Sequence, residues 1–229
     1  GAFNIGVDNI ETVNFNVLTG TNTTGDSAIT FGANLADEVT AINFAGTGDT
    51  TLTVVGNTLD VAAVAIDASG MTGTADFTLV QTSSLVAGST VTGTANGDTI
   101  ALGTTLGNTY NGGAGDDGFT TVLATLVASG ESDTSVNGGD GTDTLTISDD
   151  GSTLTDNHFT FVSGMEKLTY SDGGAISLIV GAGFTTAFAT GATITAAGMD
   201  MDANITINTG LYDVATTVTI TTVTDGDVA

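Results

Sequence analysis

"NGGAGDDGF" (residues 111–119) sets three glycines and the adjacent Asp116 and Asp117 ahead of one phenylalanine. A tight turn uses glycine but has no need of paired carboxylates, and a phosphate-binding loop would be repelled by them. One chemistry uses both. Glycines bend the backbone so that its carbonyls and a carboxylate converge on a hard cation, and calcium takes about six to eight such oxygens. The recurrence of the stretch decides the fold.

Read from Gly112, "GGAGDDGFT" (112–120) matches G-G-x-G-x-D-x-U-x, where U is a large apolar residue. "GGDGTDTLT" (138–146) matches every fixed position, with Asp143 and Leu145 as its D and U. Nine residues before 112, "GTTLGNTYN" (103–111) keeps the first glycine and puts Asn108 at the Asp position. "GTANGDTIA" (93–101) lies one residue further back, with Asp98 and Ile100. "ISDDGSTLT" (147–155) loses the glycines but keeps Leu154 in phase. Nonapeptides that recur in this way mark a calcium-binding parallel β-helix, in which six residues turn and three form a short strand aimed at the core. Two turns complete a coil, and a cation lies between same-side turns of successive coils. Residue 102 and residues 121–137 break the phase, so the sequence leaves open which turn faces which. The competing reading is a set of glycine-rich β-turns with solvated aspartates.

A weaker repeat covers the flanks. "IETVNF" (10–15), "VTAINF" (39–44), "VAAVAI" (61–66) and "MEKLTY" (165–170) share apolar first, fourth and sixth positions. Each precedes a second apolar alternation: "SAITF" (27–31), "TTLTVV" (50–55), "ADFTLV" (75–80) and "AISLIV" (175–180). Such units read as rungs of a solenoid, each with an apolar edge that only a neighbour covers. An antiparallel sandwich of the same short strands is the alternative. "TTVTITTVT" (216–224) reads as a final strand, and "TVLATLVASG" (121–130) is the one plausible helical turn.

The 229 residues include 26 acidic ones against a single lysine, for a formal charge of −25. Nothing here neutralises phosphates, which argues against nucleic acid and against an electrostatic hold on anionic lipid. Self-repulsion of this size opposes a compact state unless cations bind. Yet 40% of the residues are hydrophobic, which excludes a disordered acidic tail. Cysteine is absent, so disulfides and thiolate metal sites are excluded. No apolar run reaches the roughly 18–20 residues that span a bilayer. The chain opens on Gly1 rather than methionine, which fits a processed or partial chain.

The nonapeptides resemble those of RTX (hemolysin-type calcium-binding) proteins, on the strength of "GGAGDDGF" and "GGDGTDTL" within about residues 93–155. The texture of the flanks, with "GVDNIETVNF" (6–15) and "SGMEKLTY" (163–170), is similar to that of RTX surface-layer proteins and large adhesins of Gram-negative bacteria. The resemblance implies type I secretion of an unfolded acidic chain that folds where calcium is abundant, outside the cell. It implies carboxylate ligands at Asp98, Asp117 and Asp143 and carbonyl ligands at Gly112, Gly113, Gly115, Gly138, Gly139 and Gly141. Asn108 offers only a neutral oxygen and a weaker site, and Asp116 and Asp140 read as solvated turn residues. "TDGDVA" (224–229) is the candidate C-terminal secretion signal.

Many RTX proteins are hydrolases, but this chain has no H-E-x-x-H and no G-x-S-x-G. His158, in "TDNHFTFV" (155–162), is the only histidine; a dyad with Asp156 competes with a plain turn histidine. Lys167 stands alone as a cation, with Glu166 or another acid as its expected partner. Catalysis is not expected. Strands such as "TLTV" (51–54), "TVTGT" (90–94) and "TVTITTVT" (217–224) carry the T-x-T pattern of flat ice-binding solenoid faces, but their irregular spacing argues against a lattice-matching surface. Asn22 and Asn204 head glycosylation sequons.

The expected fold is all-β, a right-handed parallel β-helix (β-solenoid) with a central calcium-binding RTX segment. Rungs at 1–92 precede a calcium-binding β-roll at 93–155, with an insertion at 121–137, and C-terminal rungs follow at 156–229. The expected function is that of a secreted, non-enzymatic calcium-binding protein that self-assembles on the cell surface as a layer or filament, with cell-surface polysaccharide as a further partner. An adhesin segment that binds glycan or a host surface is the alternative, and a fragment of an RTX hydrolase stands third.

Overall fold

The structure is a computed structural model that describes residues 3–4, 10–18, 27–31, 38–55, 59, 62–126, 133–149, 153–171, 176–197, 205–208 and 216–221. The chain winds as a parallel β-solenoid whose strands alternate between two sheets as far as Thr144–Ile147. The first sheet has ten strands, from Phe3–Asn4 to Thr216–Thr221, and includes Thr50–Val54, Phe77–Gln81, Thr99–Ala101, Gly118–Thr121 and Thr144–Ile147. The second has seven, from Thr12–Val17 to Val162–Ser163, with Thr90–Thr92, Thr109–Ala114 and Ser135–Asp140 among them. Both sheets continue past residues 92 and 155.

A two-residue period builds each rung, because successive side chains on a strand point to opposite faces. In Thr50–Val54 the first, third and fifth residues are buried while Thr51 and Thr53 face outward, half-buried. The U residues of the nonapeptides obey the same rule. Ile100, Phe119 and Leu145 lie opposite one another in register and are wholly buried. Each such side chain contributes roughly 1.5–3 kcal/mol through burial. Towards the N-terminus the core becomes aromatic: Phe15 stacks on Phe44 at 5.2 Å, and Phe44 lies 5.4 Å from Phe77. Phe77→Ala should therefore cost about 3–5 kcal/mol of unfolding free energy. Thr78→Ala, one residue on and outward-facing, should stay within about 0.5 kcal/mol. Urea denaturation of the two variants checks the contrast.

The second sheet carries an outward amide column. Asn43 Nδ2 donates to Asn14 Oδ1 at 2.8 Å, and Asn137 Nδ2 donates to Asn111 Oδ1 at 3.0 Å. The outward face of the first sheet is mostly threonine, interrupted by Val80, Ala101, Gly118 and Lys167. The T-x-T triplets at 51–53, 144–146, 193–195 and 217–219 occupy the same two columns despite their uneven spacing in the chain. Length differences are absorbed in the corners between the sheets. "TVTGT" belongs instead to the second sheet.

Two stretches depart from the sequence reading. "MEKLTY" does not repeat the role of "IETVNF": Lys167–Tyr170 stacks under Thr144–Ile147 in the first sheet, whereas Thr12–Val17 lies in the second. Its successor Ile176–Ile179 joins a separate three-stranded sheet with Thr153–Leu154 and Ile205–Asn208. Val162–Ser163, which follows the short helical stretch Asp156–Phe159, already takes the second-sheet place of this coil, so the next strand falls in the first sheet. An α-helix at Ala182–Ala187 also escaped the sequence reading. Six residues are too few to hold a helix alone. Asp156 holds this one in place by accepting the Gly183 and Phe184 N–H groups at 3.0 and 2.9 Å, and Phe184 packs on Phe159 and Phe188. The expected helical turn appears as a 3₁₀ helix at Leu123–Leu126, and residues 127–130 lie outside the described residues. So do the sequon asparagines Asn22 and Asn204 and residues 222–229, while Thr216–Thr221 pairs parallel with Ala192–Ala197 as a strand.

Candidate metal-binding edge

The nonapeptide turns 93–98, 112–117 and 138–143 form the corner where the second sheet hands over to the first. They stack on one edge in strict register. Gly113 lies opposite Gly139 and Ala114 opposite Asp140, and Gly118 pairs with both Thr99 and Thr144. Asp98, Asp117 and Asp143, each one residue earlier, therefore form a single column. Glu166, which precedes Lys167 opposite Thr144, extends it.

Each acid caps the backbone of the coil before it. Asp98 Oδ1 accepts the Phe77 N–H at 2.7 Å, Asp117 Oδ1 the Asp98 N–H at 2.7 Å, and Asp143 Oδ1 the Asp117 N–H at 2.8 Å. Glu166 Oε2 accepts the Asp143 N–H at 2.8 Å. The second oxygens differ. Asp98 Oδ2 accepts the Thr94 N–H at 2.6 Å and Glu166 Oε1 the Thr190 hydroxyl at 3.0 Å. Asp117 Oδ2 and Asp143 Oδ2 are buried and have no hydrogen-bond partner. Each orphan oxygen lies beside a glycine that a carbonyl of the next coil also approaches. A Cβ placed on Gly112 would overlap both Asp117 Oδ2 and Gly138 O, and one on Gly138 would overlap Asp143 Oδ2 and Gly164 O.

These carboxylates are expensive to ionise. Asp98 and Asp117 are 2% exposed and Asp143 is 0% exposed. Burial, reinforced by repulsion from Asp98, Asp143 and Asp116, pushes Asp117 up to about 7. Burial likewise raises Asp143, with Glu166, Asp116 and Asp140 adding repulsion. Asp98 is raised by burial against the opposing pull of its hydrogen bonds from Thr94 and Phe77.

The opposite edge does the same mechanical task without charge. Ser89 Oγ accepts the Val64 N–H at 3.0 Å, and Asn108 Oδ1 accepts the Ser89 N–H at 3.0 Å. Asn108 Nδ2 donates to Thr105 O at 3.3 Å. Backbone capping between coils thus works with neutral side chains, and the acid column needs another reason to exist. Asn108 stands on this neutral edge, away from Asp98, Asp117 and Asp143, so the structure does not bring it together with the other sequence-derived ligands. Asn108 belongs to the return corner, where residue 102 and the described residues 122–126 and 133–134 of the insertion also fall.

Asp116 and Asp140 are exposed, the first in the turn and the second at the end of strand Ser135–Asp140, and Asp116 Oδ1 accepts the Thr142 N–H at 2.9 Å. Glu166 escaped the sequence reading because "SGME" keeps a single glycine and is too short for the motif; an acid two residues after a glycine was the only signal. Among the described residues no three His, Cys, Asp or Glu side chains gather as a metal-binding group, since the column offers one carboxylate per coil and the rest of the oxygens near it are carbonyls. His158 folds back on its own turn, where Nδ1 meets the Thr155 N–H at 2.9 Å, while the Asp156 carboxylate caps the helix at Ala182–Ala187. Lys167 is exposed and forms no ion pair among the described residues; Glu166 points instead to Asp143 and Thr190. No helix among the described residues is long and apolar enough to cross a membrane. No family model, no curated protein and no solved structure matches the chain.

Proposed function

We propose that this chain is a calcium-stapled section of an extracellular structural protein, which folds when Ca²⁺ enters the acidic edge and then self-associates on the cell surface as a layer or filament. The observation that carries the reading is the contrast between the two edges. One caps its coils with Ser89 and Asn108, the other with a column of buried acids whose Asp117 Oδ2 and Asp143 Oδ2 lack any partner. A buried, unpartnered carboxylate is costly, and a cation is the group that satisfies it. The residues fit calcium. Asp117 and Asp143 with the carbonyls of Gly112, Gly113, Gly115, Gly138, Gly139 and Gly141 make an all-oxygen donor set, of the kind hard cations select. Asp98, whose oxygens are engaged by Phe77 and Thr94, closes the stack at one end. The bound ion would supply positive charge between coils, offset the repulsion within the column and make the solenoid's stability depend on calcium.

The resemblance to RTX proteins supports secretion and folding outside the cell, where calcium is plentiful, and the charge of −25 would keep the chain open beforehand. Self-association is supported by the architecture: a solenoid presents its ends and edges as heterologous surfaces, and repeated heterologous contacts give fibres or lattices. Calcium titration of chelator-treated protein, followed by circular dichroism and sedimentation on the same samples, tests both parts. The expected result is a cooperative gain of β signal, reversed by chelator, with a rise in mass as calcium saturates. A β signal indifferent to calcium would remove the metal reading. A folded, calcium-loaded monomer at high concentration would remove self-assembly.

A further inference from the structure

We infer that the outward face of the first sheet binds the ordered water lattice of ice. Two columns of side chains run along this face with no register shift, whereas the second sheet slips between Asn43 and Ala45. Thr120, Thr146, Thr169 and Thr195 follow one another in one column, and Thr144 and Thr193 flank Lys167 in the other. In a parallel sheet these hydroxyls repeat about every 4.8 Å across the strands and about every 6.6 Å along them. Rows of oxygen in ice repeat on a comparable scale. Threonine suits such a surface because its β-branched side chain is stiff at χ1, so hydroxyl and methyl hold fixed positions.

Three observations on the two sheets favour this ligand over a protein. The outward Asn residues of the second sheet hydrogen-bond one another, whereas the hydroxyls of Thr120, Thr144, Thr146, Thr169, Thr193 and Thr195 make no hydrogen bond among the described residues. In a chain with 26 acids, neither threonine column contains an acidic residue along its paired length. The face also lacks the aromatic, Met and Arg anchors that concentrate binding energy in protein interfaces. From Thr120 and Thr144 onward the grid is threonine broken only by Lys167, and it matches a ligand that is itself a repeating grid. The inference does not depend on the calcium reading.

The test is partition into slowly grown polycrystalline ice, with the full chain in calcium and an inert protein marker in the same solution. The wild type should be enriched in the ice relative to the marker. Thr146→Lys/Thr195→Lys, checked for an unchanged circular dichroism spectrum, should fall to the marker's level. Thr90→Lys/Thr109→Lys, on the outward face of the second sheet, should partition as the wild type does. Lys167→Thr, which removes the cation between Thr144 and Thr193, should be more strongly enriched. Wild type at the marker's level overturns the inference, as does equal loss in both lysine pairs. If the Thr146→Lys/Thr195→Lys pair abolishes sedimentation as a dimer, or binding to crystalline cellulose, while ice partition is unchanged, the face serves a second copy or a polysaccharide instead.

Discussion

Asp117→Asn should stabilise the protein stripped of divalent cations and destabilise it in saturating calcium. The substitution keeps the cap, because the Asn Oδ1 can still accept the Asp98 N–H that Asp117 accepts at 2.7 Å. It replaces the orphan Oδ2 with an uncharged amide in a site that the Gly138 carbonyl also approaches. It also removes a buried charge repelled by Asp98, Asp143 and Asp116. The folded Asp117 titrates at about 7, and an unfolded aspartate titrates near about 3.9. A group raised in this way lends its stability below the unfolded value and loses it as pH climbs through the folded one. Ion-free wild type should therefore weaken between about pH 4 and about pH 7, by a few kcal/mol at roughly 1.4 kcal/mol per unit, and Asp117→Asn should flatten that part of the profile. In calcium the order of the two proteins reverses, because the variant has lost a charged ligand. Urea midpoints at pH 5 and pH 8, with chelator and with calcium, give all four comparisons. A purely structural role for Asp117 predicts no reversal.

Gly139→Ala should remove the central coils. Gly139 has φ +117°, and a Cβ there would overlap the Gly113 carbonyl of the preceding turn. Both obstacles are backbone, so no rotamer change relieves them, and the expected loss exceeds about 4 kcal/mol. Gly73→Ala separates conformation from contact. Gly73 has φ +77° but nothing within 4 Å of a Cβ, so its replacement should cost only about 1–2 kcal/mol, the penalty for a left-handed residue. Thermal or urea unfolding should rank Gly139→Ala well below Gly73→Ala. Equal losses would mean that the close approach of successive turns contributes nothing.

The solenoid was legible because the two-residue period and the U positions both follow directly from burial: Ile100, Phe119 and Leu145 are core residues in sequence and in structure alike. The edge that each turn joins was not legible. Successive coils differ in length, from 19 residues between Asp98 and Asp117 to 26 between Asp117 and Asp143, and a fixed step of nine cannot follow them. That step placed Asn108 with the aspartates, whereas it caps Ser89 on the neutral edge. Glu166 shows the converse: its position comes from the pairing of Lys167 with Thr144, and its local sequence carries little of the motif. The threonine face was hidden for the same reason, since strand register alone lines up triplets that lie at uneven intervals along the chain.

The most direct test of the acidic edge is a calorimetric titration of calcium into chelator-treated protein at pH 8, beside an Asp117→Asn/Asp143→Asn variant that keeps both backbone caps. Saturable heat in the wild type that disappears in the variant is the expected result. No heat in the wild type, or the same heat in both proteins, would contradict calcium binding at Asp117 and Asp143.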